Sequence, residues 1–241
     1  MKSMVFQLLS CFIFNKTKRR NFRQKHIVKQ KIKNSGKDNI ISAPSNRNIS
    51  ISVIGDRNNI YIDKDIDVES EISISLVGND NSIKIQPGIH RMYVAMCVND
   101  GRSVNGCSFS IGKNSRSTGV TQYFMLEDDT HISIGDDCMF SSDISFRCTD
   151  DHAVIDIENN RVINKANRID IGNHVWICMK ACILKNSKVS DNCIVGMGTV
   201  VAGKFEKPHC AIAGNPARII KENITWDEKR PTDVILDQHT V

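Results

Sequence analysis

His152 is the residue of this 241-residue chain best suited to move a proton. It lies in RCTDDHAVIDIENNRVINKANR, residues 147–168, directly after Asp150 and Asp151. An imidazole with an ordinary pKa near 6.5 takes a proton from a weak acid at neutral pH and gives it back. A neighbouring carboxylate, Asp150 or Asp151, fixes its tautomer and stabilises the imidazolium. The bland alternative is a solvent-exposed loop histidine. Trp176 follows 24 positions later, just before Ile177. An indole there either walls a substrate site or packs on a neighbouring rung or subunit. His131 and His174 read as exposed turn residues, and the three histidines lack a close pair, so no metal is expected.

Such residues need a frame, and the frame is a six-residue period. Ile171, Ile177, Ile183, Val189, Val195 and Val201 recur at that spacing, with Gly, Asn, Asp and Ser between them. A helix of 3.6 residues per turn would smear this period around its axis. A strand, a turn and another strand, with one aliphatic side chain inward each time, gives a β-helix solenoid. Ile54, Ile60, Ile66 and Ile72 keep the same step, and GDRNNIYI and GNDNSIKI read as two early rungs. Ile134, Phe140 and Phe146 restart it with larger side chains. The period stops across residues 147–168, and an insertion in a regular solenoid is where function is carried.

Composition narrows the rest. Net charge is +5, and Lys and Arg crowd residues 16–37. Nine cysteines without a CxxC pair read as buried thiols in a reducing interior rather than a disulfide framework. Residues 4–14 are apolar but too short to span a bilayer, which needs about 20 residues. Positive charge follows this run instead of preceding it, unlike a secretory signal. Residues 1–45 therefore form a short, basic, helical N-terminal arm, which lies on an anionic membrane face or packs on a neighbouring subunit. The basic stretch has almost no interleaved aromatics, so nucleic acid is not an expected partner.

MFSSDISFRCTDDH (139–152), IGNHVWI (171–177), VGMGTVVAG (195–203) and AIAGNPARIIK (211–221) together resemble the left-handed β-helix acyltransferases, and among them bacterial polysaccharide O-acetyltransferases. The resemblance covers residues 50–230. It implies an all-β solenoid, a left-handed parallel β-helix over residues 46–205 with an extruded catalytic loop, and a tail, residues 206–241, completing a coenzyme A site. It implies His152 as base, with Asp150 and Trp176 beside it, and direct acetyl transfer from acetyl-CoA. Met179, Met197, Gly198 and Ala202 would line the pantetheine, and Arg218 and Lys221 the phosphates. Ala202-Gly203 departs from the usual Thr-Lys, and Lys204 could supply that cation. Asp129, in YFMLEDD beginning at Tyr123, faces the acceptor or caps a turn, and Tyr123 joins it as an acceptor candidate. The implied assembly is a homotrimer with sites in the subunit clefts. The implied acceptor is a capsule or lipopolysaccharide glycan, and the implied location is cytoplasmic, on or near the inner membrane face. A small acceptor (a free sugar, a nucleotide-sugar amine or a drug) and a non-catalytic scaffold are the alternatives.

Overall fold

The computed structural model describes residues 29–97 and 102–234, together with Asn15, Lys18, Arg19 and Phe22. The chain winds as a left-handed parallel β-helix with three faces. Face 1 has eight strands, from Gln30–Ser35 to Val200–Val201. Face 2 also has eight, from Ile40–Ser42 to Lys204–Phe205. Face 3 has seven, from Gly88–Ile89 to Ala217–Glu222. Each complete coil visits faces 1, 2 and 3 in turn, so three hexapeptides make one coil.

Every member of the C-terminal series points inward, Ile171 being 4% exposed and Ile177, Ile183, Val189, Val195 and Val201 no more than 1%. Parallel pairing stacks like on like, Ile49 beside Ile72, Ile51 beside Ile74 and Val53 beside Leu76. Midway along the axis the aliphatic column becomes aromatic. Tyr123 stacks on Phe146 at 4.7 Å between ring centroids and meets Phe109 edge-on at 4.7 Å.

The corners explain the Gly, Asn and Asp between aliphatics. Asn114, Asp137, His174, Asn192 and His209 follow one another at the corner between faces 2 and 3, all at φ of 52–59°. Short polar side chains tolerate this left-handed conformation best. At the corner between faces 1 and 2, Gly55 and Gly78 take φ of +121° and +148°. A Cβ on Gly55 would lie 2.1 Å from the Gly78 carbonyl oxygen, so the two early rungs need glycine there. Beneath them runs a side-chain ladder. Asn39 Oδ1 accepts from Asn58, Asn58 Oδ1 accepts from Asn81, and Asn81 Oδ1 accepts from the Cys107 N–H at 2.9 Å.

Three expectations change. The solenoid starts before residue 46, because Gln30–Ser35 and Ile40–Ser42 already pair in register with the next coil. Of the helical arm expected over residues 1–45, Lys18, Arg19 and Phe22 are helical, the last part is largely strand, and most of the remainder lies outside the described residues. Ile54 is 52% exposed, since Ile49, Ile51 and Val53 are the inward residues of its strand and the alternation turns Ile54 outward. The solenoid also runs past residue 205. Cys210–Gly214 joins face 3 in parallel, and Ala217–Glu222 folds back on it antiparallel.

The eight described cysteines are free thiols. Burial pushes Cys138 and Cys148 up to about 12, so both stay protonated at neutral pH. Among the described residues no helix is long and apolar enough to cross a membrane.

Candidate active site

The excursion that carries His152 leaves face 1 after Ile144–Arg147 and re-enters face 2 at Arg168–Ile171. Its tip is a two-stranded hairpin, Ile155–Asp156 against Arg161–Val162. His152 is exposed, and its imidazole makes no hydrogen bond with the other described residues. Neither flanking carboxylate reaches the ring. Asp150 bonds Lys185 Nζ and accepts from Asn164 Nδ2 at 2.9 Å, contacts that hold its carboxyl below the usual carboxylate range. Asp151 pairs with Arg147 at 2.8 Å. The expected Asp150–imidazole contact is thus replaced by a contact with lysine, and Asp150 shapes the loop backbone rather than the ring.

Asp129 stands one coil before, at the same corner between faces 1 and 2. It is a turn residue with φ of 54°, exposed, and its N–H donates to the Asn105 carbonyl at 2.9 Å. Tyr123, grouped with it by sequence, is 1% exposed inside the aromatic column and does not reach an acceptor. The alternation of Thr121–Phe124 turns Tyr123 inward, and burial pushes its phenol up. Ala202 and Lys204 lie exposed at this same corner, two coils beyond the loop.

Trp176 opens the strand Trp176–Ile177 on face 3, which lies opposite that corner. Its indole packs 6.1 Å from Trp226, between ring centroids. Trp226 stacks on His174 at 4.2 Å and donates Nε1–H to the His174 carbonyl at 2.8 Å. The tail is fixed further by Glu228 against Arg116 at 2.8 Å. Met179, Met197 and Gly198 line the corner between faces 3 and 1, with the Gly198 N–H donating to the Met179 carbonyl at 3.0 Å. Met197 is 69% exposed, and a Cβ added to Gly198 would meet nothing within 4 Å. Arg218 and Lys221 project from the last strand of face 3. The candidate residues therefore divide into two half-sites. His152, Asp129, Ala202 and Lys204 share one edge, while Trp176, Met179, Met197, Gly198, Arg218 and Lys221 share the opposite flank.

Sequence reasoning missed Trp226, Asn164, Glu127 and Lys185. A tryptophan in an otherwise polar tail was a legible signal. The charged pair was not, because it acts across coils.

A parallel β-helix of this kind, with a histidine-bearing loop, is a hexapeptide-repeat acyltransferase. Comparisons narrow the class. The chain is 32% identical over 191 residues to the polysialic acid O-acetyltransferase of Neisseria meningitidis, covering 79% of this chain and 85% of that protein. It is 32% identical over 135 residues to the polysialic acid O-acetyltransferase of Escherichia coli O1:K1, covering 56% of this chain but 43% of that protein. Among solved structures it resembles the polysialic acid O-acetyltransferase OatWY, with a TM-score of 0.65, 28% identity and 83% and 93% of the two chains covered. The fold also matches the polySia-specific acetyltransferase NeuO, with a TM-score of 0.69, 24% identity and 85% and 92% covered. No family model matches. The chain belongs to the polysialic acid O-acetyltransferase family.

Proposed function

We propose that this protein transfers an acetyl group from acetyl-CoA to a hydroxyl of a bacterial surface polysaccharide, in the cytoplasm, at sites formed between the subunits of a homotrimer. The observation that carries this reading is the division of the candidate residues between one edge and the opposite flank. A cyclic assembly brings the edge of one subunit against the flank of the next, and its interfaces are heterologous, so three equivalent sites close the ring. The activity by which the relatives are named, O-acetylation of polysialic acid, supports the acceptor class.

His152 takes the proton of the attacking hydroxyl as its oxygen adds to the thioester carbonyl. The carbon–sulfur bond then breaks, and the imidazolium returns the proton to the departing thiolate. Backbone N–H groups at the rung corners suit the oxyanion. The uncovered backbone at Gly198, beside Met179 and Met197, fits the approach of a pantetheine arm, and Ala202 continues this lining. Arg218, Lys221 and Lys204 suit its phosphates, and Asp129 suits sugar hydroxyls. No step uses a metal ion or a cysteine.

The test incubates the full chain with acetyl-CoA and purified capsular or lipid-linked polysaccharides, polysialic acid among them. A mass gain of one acetyl group per modified sugar is expected. Acetylation of free sugars or nucleotide-sugar amines with no change in any polymer would replace the polysaccharide with a small acceptor.

A further inference from the structure

The loop that carries His152 is held at both stems by two oppositely charged residues from the coils before and after it. From the coil before, Glu127 Oε1 accepts the Thr149 hydroxyl at 2.6 Å, and Glu127 Oε2 accepts the Ala166 N–H at 3.5 Å. Thr149 is 3% exposed, and its Oγ1 accepts the Asp151 N–H at 3.0 Å. The Glu127 carbonyl accepts the Thr130 hydroxyl at 2.9 Å, which anchors the clasp to its own corner. From the coil after, Lys185 Nζ bonds the Asp150 carboxylate and donates to the Asn164 carbonyl at 2.6 Å. Asn164 then donates to the His152 carbonyl at 2.8 Å and accepts the Val154 N–H at 2.8 Å. Residues 149, 150, 151 and 154 and the carbonyl of His152 itself are all tied.

The core does not need this clasp. Faces 1 and 2 continue in register across the gap, with Ser145 beside Cys182 and Asp170 beside Lys188. The corners after Asn48–Ile54 and Glu71–Val77 join these faces across four residues each, and the charged pair there, Arg57 with Asp80 at 2.7 Å, ties one corner to the next rather than holding an excursion. The Lys185 side chain is only 16% exposed, a placement that disfavours lysine unless its charge is matched. Its partners are loop atoms rather than solenoid atoms. The brace therefore serves the loop.

We propose that Glu127 and Lys185 are positioning residues for His152, one from each neighbouring coil, that hold the imidazole at the height where it meets the acceptor hydroxyl. The proposal rests on His152 being the base. A displacement of about 1 Å at a reacting group can cost roughly a hundredfold in rate. Loss of a hydrogen bond to a charged group, about 1.5–3 kcal/mol, corresponds to roughly 10–100-fold.

The experiment compares Glu127→Ala, Lys185→Met, Glu127→Gln, Lys185→Arg and His152→Ala in the full chain, with acetyl-CoA and the polysaccharide that it acetylates. Glu127→Ala and Lys185→Met should each lower kcat by about 10–100-fold, with the KM for acetyl-CoA and the thermal midpoint close to wild type. Glu127→Gln keeps an acceptor for Thr149 and should regain most of the loss, as should Lys185→Arg. An unchanged kcat in both clasp variants, beside an inactive His152→Ala, would overturn the clasp alone. A kcat loss that tracks a fallen thermal midpoint would also overturn it. Full activity in His152→Ala would overturn the base assignment itself.

Discussion

His152 leaves the solenoid at the edge where faces 1 and 2 meet, whereas Trp176 stands on face 3, opposite that edge. In the proposed assembly the two meet across a subunit boundary. Light scattering of active protein should then give the mass of a trimer. Dilution to the monomer should remove activity, and a stable monomer with full turnover would contradict this.

The asparagine ladder should matter more than its polarity suggests. Asn81 is 1% exposed, donates to the Val104 carbonyl at 2.8 Å and accepts from the Cys107 N–H. Asn81→Ala leaves both backbone groups buried without partners, each worth about 1–3 kcal/mol. A stability loss of about 3 kcal/mol in denaturant titration is expected. A loss below about 1 kcal/mol would mean that water replaces the amide.

His90 makes stability fall in mild acid. It is 1% exposed, with Nε2 2.9 Å from the Gln86 carbonyl. Burial lowers its pKa from 6.5 to about 4. At pH above 6.5 the ring is neutral in both folded and unfolded chains. Between pH 6.5 and about 4 the unfolded chain takes the proton and the folded one does not, so stability declines as pH falls through this window. The loss is of the order of 3 kcal/mol at about 1.4 kcal/mol per pH unit. His90→Gln keeps a donor for Gln86 without a titrating ring and should flatten this part of the pH–stability curve.

Tyr123 belongs to the core, so Tyr123→Phe should leave the acceptor KM unchanged. Tyr123→Ala should destabilise by about 3–5 kcal/mol through the cavity left between Phe109 and Phe146. A rise in acceptor KM in a folded Tyr123→Phe protein would return this residue to the site.

The fold was legible because a period of six has few physical solutions, and Ile171 to Val201 follow it without a break. It was less legible where strands are longer. In Asn48–Ile54 three residues point inward, so the period-six reading took Ile54 for a core residue when Val53 fills that place. Tyr123 misled for a related reason, since it was grouped with Asp129 by sequence proximity and strand alternation turns it inward. His152 and Trp176 were visible as residue types at a recognisable offset. Their separation across the prism was not visible, because it depends on which face each hexapeptide occupies. The partners of Asp150 were hidden too. Sequence adjacency favoured His152, while stacking of successive coils delivers Lys185 to the carboxylate.

In the proposed trimer His152 of one subunit and Trp176 of the next share a site, which mixed trimers can test. His152→Ala and Trp176→Ala proteins are co-expressed and assayed with acetyl-CoA at an acceptor concentration well below saturation. Each variant alone should be strongly impaired, His152→Ala by about 10²–10⁴ as expected for loss of a general base. In randomly mixed trimers about one site in four joins an intact His152 to an intact Trp176. Recovery to about a quarter of wild-type activity is expected on mixing. Activity no greater than the average of the two separate variants would contradict it.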